Sequence, residues 1–307
     1  MGFPNLISVH SLMLQSFTFS APVSGRKLLV LGAVHGNEKC GTQAILRIVK
    51  EFEDGQLKLS QGSVTFVPIC NPKAYEADTR YIDRNLNRFL VPQEKPDCYE
   101  AQIGNVLCPL LEKCDVLLDL HSYSVGGEPF VFVGNPYTAE HDFANCLGAA
   151  AGLTGWQAAY AASGRENVDV DPEEATGTTE YARRFGVRAV TLECGQHKDP
   201  LASEIAYQAI RRALNFLQLA SLSVTSTAKL AKLVEVKKVF YRDDERSVFT
   251  KQWKHLDWVA GGEIVASNPQ GGQIAVPADG YIILPHFDAP CGAEWFYWGQ
   301  ERQRDGE

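Results

Sequence analysis

The chain has 307 residues, of which 45% are hydrophobic and 21% are charged, a composition that predicts one large or two unequal globular domains and excludes a mainly disordered chain. Its 29 basic and 37 acidic residues give a formal net charge of -8, the wrong sign for holding nucleic acid or an anionic membrane by bulk electrostatics. We therefore expect no nucleic acid and no membrane as a partner, and an anionic ligand would need a local cluster of arginine or lysine.

The eight cysteines include no CxxC pair, and several lie in apolar runs, as Cys70 does in Val67-Pro68-Ile69-Cys70. This pattern is typical of reduced, buried thiols and predicts a cytoplasmic protein. Residues 1–19 lack the basic start and the continuous apolar stretch of a targeting signal, so none is expected.

From Lys27 onward, short apolar runs alternate with helical patterns, as in a largely parallel sheet with crossover helices. The predicted strands cover residues 28–31, 64–67, 116–120, 130–133 and 189–192. The predicted helices cover residues 45–52, with a stop at Asp54-Gly55, and then residues 99–114, 139–151 and 203–219. The predicted fold class is therefore α/β, with a mixed, largely parallel sheet flanked by helices.

Two stretches depart from this alternation. Residues 71–96 have no clear period and carry many charges, and so long a loop in an α/β domain indicates a functional segment. Residues 221–227 are small and polar, which predicts a domain boundary. We expect an α/β catalytic domain at residues 1–222 and, from its closely spaced turns, a small all-β domain at residues 228–307 that caps the site.

The first predicted strand leads into Gly32-Ala33-Val34-His35-Gly36-Asn37-Glu38. His35 and Glu38 are three residues apart and can turn an imidazole nitrogen and a carboxylate oxygen toward one point, which suits Zn²⁺. A surface histidine near a helix-start glutamate would give the same pattern. Position favours the metal, because ligands in open α/β sheets bind beyond the carboxyl ends of the strands.

His121 follows the predicted strand 116–120 in the same way. Two histidines and one glutamate would give three protein ligands and leave a fourth position open to water, as in catalytic zinc sites. The alternative is a core histidine with satisfied hydrogen bonds. Asp119, two residues earlier, is either a partner of His121 or a strand residue that faces away.

A carboxylate stands where a third apolar strand, residues 189–192, runs into Glu193-Cys194-Gly195. An unpaired buried charge is costly there, but a glutamate that shares a proton with a metal-activated water is not. The alternative is an ion pair of Glu193 with Arg188 or Lys198.

The long loop contributes positive charge in Thr79-Arg80-Tyr81-Ile82-Asp83-Arg84-Asn85-Leu86-Asn87-Arg88. Guanidinium groups suit carboxylate recognition and stabilisation of a developing oxyanion, so this cluster is the local exception that an anionic substrate requires. The alternative is a solvated loop in which Asp83 neutralises Arg84.

Taken in order, His35-x-x-Glu38, Arg80-Tyr81-Ile82-Asp83, Asn85-Leu86-Asn87-Arg88, Asp119-Leu120-His121 and Thr191-Leu192-Glu193-x-Gly195 resemble the motifs of the succinylglutamate desuccinylase and aspartoacylase family. That family belongs to the zinc carboxypeptidase superfamily. The resemblance covers roughly residues 27 to 300, because the tail also looks like that family's C-terminal β domain.

The resemblance implies Zn²⁺ on His35, Glu38 and His121, with Glu193 as general base and proton shuttle. Arg80 would polarise the scissile carbonyl, and Asn87 with Arg88 would hold a substrate carboxylate. The implied reaction is hydrolysis of a small anionic N-acyl amino acid to a carboxylate and a free amino acid.

Two positions depart from the family pattern. Asn85 stands where the family motif commonly has aspartate, and Glu180 stands where aspartoacylases carry an arginine before the base strand. The second departure argues against aspartate-type specificity.

Two rival functions stay open at this point: a zinc carboxypeptidase that acts on peptides, and a catalytically silent homologue that binds anions. The intact ligands and Glu193 argue against the second. The sequence leaves open which acyl group and amino acid are used, and whether the chain forms a homo-oligomer.

Overall fold

The structure, a computed structural model, describes residues 4–9, 12–134, 138–163, 176–224 and 230–302. In chain order the strands are β1 (Pro4–Val9), β2 (Leu12–Ser20), β3 (Lys27–Gly32), β4 (Ser63–Val67), β5 (Val116–Tyr123), β6 (Phe130–Phe132), β7 (Ala151–Thr154), β8 (Arg188–Gln196), β9 (Lys232–Tyr241), β10 (Val248–Phe249), β11 (Asp257–Val259), β12 (Ile264–Ser267), β13 (Gln273–Ala275), β14 (Gly280–Ile283) and β15 (Glu294–Glu301). The helices are α1 (Cys40–Glu53), α2 (Pro72–Ala77), α3 (Tyr99–Leu111), α4 (Ala139–Cys146), α5 (Trp156–Ala161), α6 (Thr178–Arg183) and α7 (Leu201–Phe216), with a 3₁₀ turn at Leu86–Arg88. In the described part of the chain, none of these helices is both long and apolar enough to cross a membrane.

Twelve strands form one sheet in the order β1-β2-β4-β3-β5-β8-β6-β7-β9-β15-β14-β11. Strands β4, β3, β5 and β8 run parallel to one another, β6 runs antiparallel to β8, and β7 and β9 continue parallel to β6. All eight residues of β5 are buried, as expected of a central strand covered on both faces. The predicted α/β fold, a mixed sheet with a mostly parallel centre, is confirmed.

Side chains that alternate along β3 divide between two hydrophobic cores. Leu28 and Val30 pack on one face of the sheet with residues of α1, α4 and α7. Leu29 and Leu31 pack on the other face with residues of α3 and α6. Full burial of such a side chain stabilises the fold by about 2 kcal/mol, so the two cores hold the strand ends in fixed positions.

Four helices were predicted, and the structure has a helix at each place. α1 ends before Asp54-Gly55 as predicted, α3 ends at Leu111, and α7 spans Leu201–Phe216. The predicted helix 139–151 is wrong at its end: α4 stops at Cys146, and Ala151 begins β7. Gly148 adopts a left-handed φ of +88°, which ends a helix, and the four buried residues of β7 are too few to show a strand period.

The C-terminal strands join the large sheet. β9 pairs in parallel with β7, so the sheet continues into β15, β14 and β11, while β10, β12 and β13 form a separate three-stranded sheet. Every regular element described after residue 230 is a strand, which agrees with the predicted all-β segment. The predicted boundary at residues 221–227 lies partly outside the described residues, and the division into residues 1–222 and 228–307 stays a prediction.

Candidate active site

Three elements bring the predicted site residues together. His35 and Glu38 lie in the turn between β3 and α1, His121 lies on β5, and Glu193 lies on β8. His121 and Glu193 were predicted to lie just after their strands. In the structure β5 continues to Tyr123 and β8 to Gln196, so both residues lie within strands. His121 and Glu193 are direct register partners in this parallel pair.

Gly36 allows helix α2 to approach the turn closely. A Cβ atom at this position would lie 2.0 Å from the carbonyl carbon of Ala74, a separation that only glycine avoids. The amide of Gly36 donates to the carbonyl of Arg80 at 3.2 Å. The turn that carries His35 is thereby attached to the loop that carries the arginines.

The side chains of His35, Glu38 and His121 converge and are buried. His35 Nδ1 lies 2.9 Å from Glu38 Oε1, and His121 Nδ1 lies 2.9 Å from Glu38 Oε2. One candidate ligand atom from each residue falls within 4.8 Å of the other two. Two imidazole nitrogens and one carboxylate oxygen at such separations form a donor set that suits Zn²⁺.

The hydrogen bonds of this cluster also fit a metal ion. Although His35 Nδ1 is close to Glu38, it has no hydrogen-bond partner among the described residues, so its ring nitrogen is left for another ligand. Its Nε2 lies 3.0 Å from Asn85 Oδ1, which would fix the ring as a donor to Asn85 and leave Nδ1 unprotonated.

Charge pairing shifts the protonation of the cluster. Burial, together with the charge of Arg80, lowers the pKa of His35 from 6.5 to about 4. Burial opposes a charge on His121 as well, but Asp119 and Glu38 hold its pKa well above 6.5. The pKa of Glu38 lies well below 4.5 despite its burial, because both histidines favour the carboxylate. A bound cation would replace the proton that His121 carries.

Asp119 is a partner of His121 and does not face away. Its Oδ2 lies 2.9 Å from His121 Nε2 and accepts a hydrogen bond from the hydroxyl of Thr178. Asp119 is fully buried, so its carboxylate fixes the ring orientation of His121 and increases the basicity of the opposite nitrogen.

Glu193 is buried next to the cluster. In the part of the chain that the structure describes, neither Arg188 nor Lys198 forms an ion pair with it, so that alternative does not hold. Its Oε2 has no hydrogen-bond partner among the described residues. Burial and the negative charge of Glu38 raise the pKa of Glu193 well above 4.5, as expected of a carboxylate that accepts protons readily.

Residues 79–88, which we call the arginine loop, contact the His35, Glu38 and His121 cluster at two points. Arg80 donates from Nη1 to Glu38 Oε1 at 2.8 Å, and Asn85 lies against His35 as described. Asn87 Oδ1 accepts from the amide of Thr178 at 2.9 Å. Arg88 donates to the carbonyl of Asn87 at 3.0 Å and lies 4.0 Å from the carboxylate of Glu294.

Glu100, at the start of α3, holds the loop in place. Its buried carboxylate accepts from the backbone amides of residues 82, 83 and 84 at 2.8, 3.1 and 3.2 Å, and from Asn71 Nδ2 at 3.1 Å. In return, Asp83 Oδ2 accepts from the amide of Tyr99 at 2.8 Å. Asp83 therefore caps a helix, and Arg84 lies over the ring of Phe89 instead.

All seven predicted site residues line one cavity of about 720 Å³. Another part of its lining was not predicted and comes from Phe132, Trp156, Tyr160, Glu294 and Tyr297. These residues lie on β6, α5 and β15, in segments that carry no chemical motif.

Glu180, the departure noted in the sequence, also lines the cavity. Its carboxylate accepts from the amide of Gly177 at 3.1 Å and pairs with Arg183 Nη1 at 3.2 Å. The other guanidinium nitrogens of Arg183 donate to Glu140 and to the carbonyl of Ala189. Each of its three guanidinium nitrogens therefore already has a partner within the protein.

The sheet and the His-Glu-His cluster define an α/β protein with a candidate metal centre at the carboxyl ends of its parallel strands. The family model described as the succinylglutamate desuccinylase/aspartoacylase catalytic domain matches residues 24–220. The chain therefore belongs to the succinylglutamate desuccinylase and aspartoacylase family, as the motifs indicate.

Curated relatives match over part of their length. A probable aspartoacylase of Prochlorococcus marinus subsp. pastoris is 34% identical over 102 residues, which is 32% of this chain and 33% of that protein. The N-acyl-aromatic-L-amino acid amidohydrolase (carboxylate-forming) of Rattus norvegicus is 35% identical over 119 residues, 34% of this chain and 36% of that protein. The alignments thus span about a third of each relative.

Solved structures share the fold over nearly the whole chain. A succinylglutamate desuccinylase/aspartoacylase from Rhodobacter sphaeroides superposes with a TM-score of 0.76 at 16% identity, covering 99% of this chain and 96% of that one. The ectoine utilization protein EutE (DoeB) from Ruegeria pomeroyi gives 0.73 at 17% identity, covering 98% and 94%. At these identities the likeness supports the fold alone.

Proposed function

We propose that this protein is a zinc-dependent amidohydrolase that cleaves the amide bond of a small N-acyl amino acid. The observation that carries the proposal is the buried convergence of His35, Glu38 and His121, with Glu193 beside His121 in register. The family, and the names of the relatives that match part of the chain, support the reaction class.

His35, Glu38 and His121 would hold the zinc ion, because their donor set and the free Nδ1 of His35 fit it. Bound there, zinc supplies a Lewis acid that polarises the scissile carbonyl and acidifies a water molecule. Asp119 keeps the ring of His121 oriented toward the metal position.

Glu193 is the proposed general base. Its buried carboxylate, with one oxygen unpartnered, accepts the proton of the attacking water. The protonated side chain then delivers that proton to the leaving nitrogen, which departs as a free amine. The raised pKa of Glu193 suits both transfers, because the group must gain and lose a proton near neutral pH.

Arg80 and Arg88 are proposed to stabilise two different negative charges of the substrate. Arg80 uses one donor on Glu38 and can offer others to the developing oxyanion. Arg88 is proposed to bind the substrate carboxylate, because it lines the cavity and its Nη2 is still 4.0 Å from the carboxylate of Glu294. Asn87, whose oxygen is taken by Thr178, leaves its Nδ2 group as the second donor.

The cavity favours a small substrate over a peptide. Leu284, His286 and Glu294 of the C-terminal segment line it together with the metal cluster, which supports the proposal that the all-β segment caps the site. A peptidase that accepts long chains needs an open groove. Glu180 pairs with Arg183, whose other guanidinium nitrogens bind Glu140 and Ala189, so this side of the cavity offers an acidic substrate side chain no unpaired arginine.

The test is an amide-hydrolysis screen of N-succinyl, N-acetyl and N-formyl amino acids with zinc-loaded protein, with Glu193→Gln as the matched inactive control. We expect release of free amino acid by the wild type only. Cleavage of peptides in preference to all acyl amino acids would favour the carboxypeptidase alternative, and binding without turnover would favour a silent homologue.

A further inference from the structure

A pair of polar side chains lines the cavity beside the metal cluster and has no part in the proposed reaction. Ser122 Oγ lies 2.8 Å from Nδ1 of His197, and both residues line the cavity. The backbone of His197 is held as well, because its amide donates to the carbonyl of Tyr123 at 2.9 Å. Among the described residues no hydrogen bond reaches Nε2 of His197, so this atom can bind a ligand.

This pair and Arg88 approach the metal cluster from different faces of the sheet. His197 lies in the connection between β8 and α7, and α7 packs on the face that α1 also covers. Arg88 lies in the 3₁₀ turn, and Leu86 of that turn packs in the core on the face covered by α3 and α6. The cluster at the edge of the sheet therefore lies between His197 and Arg88.

We propose that Ser122 and His197 form a subsite for the acyl half of the substrate and select small acyl groups that carry a hydroxyl group. This inference rests on the proposed function, since it takes the substrate to be an N-acyl amino acid. In this subsite Nε2 of His197 contacts the acyl group, and Ser122 positions the ring of His197.

The connectivity of an N-acyl amino acid indicates which half reaches the pair. The α-carboxylate is attached to the carbon that follows the amide nitrogen, whereas the acyl chain is attached on the other side of the scissile carbonyl. With the carboxylate on Arg88 and the carbonyl at the metal cluster, the acyl chain points away from Arg88. It therefore extends toward His197.

A hydroxyl group fits the hydrogen-bonding capacity of this side of the cavity. Nε2 of His197 donates in one tautomer and accepts in the other, and a hydroxyl group can do either. Asn37, in the turn that leads into α1, also lines the cavity, and its buried Oδ1 has no hydrogen-bond partner among the described residues. A carboxylate on the acyl chain could not donate to that oxygen, and an alkyl chain would leave both Asn37 and His197 unpaired.

The test compares two ligands of nearly the same shape. N-glycolyl-leucine and N-propionyl-leucine differ only in a hydroxyl group in place of a methyl group. Calorimetric titration of the zinc-loaded Glu193→Gln variant gives affinities that do not depend on hydrolysis. We expect N-glycolyl-leucine to bind about tenfold more tightly. Equal binding of the two ligands, tighter binding of N-propionyl-leucine, or no binding of either would overturn the proposal.

His197→Phe in the same background locates the preference. Phenylalanine keeps a ring without the nitrogen atoms, so binding of N-glycolyl-leucine should weaken about tenfold and that of N-propionyl-leucine should change by less than about twofold. His141→Phe is the matched control, because His141 lies on α4, has its own hydrogen-bonded Nδ1 and does not line the cavity. Equal losses for both ligands in His197→Phe would contradict the subsite.

Ser122→Ala tests the positioning role and serves as the second variant if His197→Phe does not fold. It removes the hydrogen bond to Nδ1 and keeps the backbone amide that donates to Glu38 Oε2 at 3.1 Å, so zinc content should not change. The preference for N-glycolyl-leucine should decrease about threefold, because the ring loses its fixed orientation. An undiminished preference in Ser122→Ala would refute the positioning role, and one that survives both substitutions would refute the subsite.

Failure of this inference and of the proposed function are separable. Wild-type turnover of acyl amino acids without a preference for the glycolyl group would refute the subsite and leave the reaction in place. A glycolyl binding preference without turnover in the wild type would refute the reaction and leave the subsite in place.

Discussion

His121 and Glu193 are register partners on the neighbouring parallel strands β5 and β8. On its other side Glu193 pairs with Phe130 of the antiparallel strand β6, so backbone hydrogen bonds fix it from both edges. Partners in register project to the same face of a sheet, so the proposed metal ligand and the proposed base are held side by side by the sheet itself.

Glu193→Gln tests the proposed role of Glu193 as the general base. Glutamine has nearly the same shape but cannot accept the proton, so kcat should fall on the order of a hundredfold to ten-thousandfold. Zinc content and the affinity for an uncleaved substrate should stay near the wild-type values. A variant that keeps most of its turnover would reassign Glu193 to a structural role.

The catalytic half of the site could be predicted because each residue follows a recognisable strand. His35, His121 and Glu193 stand at or near the carboxyl ends of apolar runs, and parallel strands place those ends together. Hydrophobic periodicity alone therefore gives both the sheet and the meeting point of the ligands. The arginine loop was identified by its charges, although its support by Glu100 was not, because that contact joins residues 16 to 18 positions apart in a segment without a period.

The aromatic part of the cavity lining, formed by Phe132, Trp156, Tyr160 and Tyr297, could not be predicted because no local sequence pattern marks it. Tyr160 and Tyr297 meet across 137 sequence positions. Their meeting depends on the pairing of β7 with β9, which carries β15 to the cavity. The strand β7 has only four residues, and the predicted helix 139–151 extended into the first of them, so the sequence did not indicate how the C-terminal strands reach the site.

Glu180→Arg should change specificity toward acidic substrates. Glu180 engages Arg183 and offers a second carboxylate no cation, so wild type should be slow on N-acetylaspartate. The charge reversal should improve kcat/KM for it by about tenfold if the interaction is worth about 1.4 kcal/mol. Glu180→Gln separates charge from structure, because glutamine can still accept from the amide of Gly177. Wild-type preference for N-acetylaspartate over neutral acyl amino acids would refute this argument.

Glu100→Gln should loosen the arginine loop without disturbing the metal ligands. The side-chain amide nitrogen of the glutamine would face two of the backbone N–H groups that now donate hydrogen bonds to the carboxylate. We expect KM for carboxylate substrates to rise about tenfold and zinc affinity to change less, because the three ligands lie outside the loop and meet it only through Arg80 and Asn85 among the contacts described. Glu112→Gln, at the other end of α3, is the matched control. Parallel loss of zinc and substrate binding would indicate general unfolding instead.

His255 should make stability depend on pH. It packs on Phe130 with ring centroids 4.2 Å apart, and its Nδ1 accepts from the amide of Leu284 at 3.2 Å. Burial, with a smaller effect of Lys232, lowers the pKa of His255 from 6.5 to about 3. Between pH 6.5 and 3, His255 therefore binds a proton more readily in the unfolded chain than in the folded one. The free energy of unfolding should be unaffected by this residue above pH 6.5 and should decrease as the pH falls toward 3.

Denaturant unfolding of His255→Asn at several pH values checks this expectation. Asparagine can accept from Leu284 but does not titrate, so the free energy of unfolding should fall less steeply between pH 6.5 and 4 than in the wild type. Identical slopes for the two proteins would show that another group controls the acid sensitivity.

The central claim is most directly tested by the metal content of the purified chain after zinc reconstitution and removal of loose metal. Elemental analysis should give one zinc per chain for the wild type, and none for His35→Ala or His121→Ala. Chelation should lower the Tm of the wild type and leave both variants unchanged, because metal bound only by the folded state adds to its stability. A wild-type chain without zinc, or alanine variants that retain it, would contradict the account.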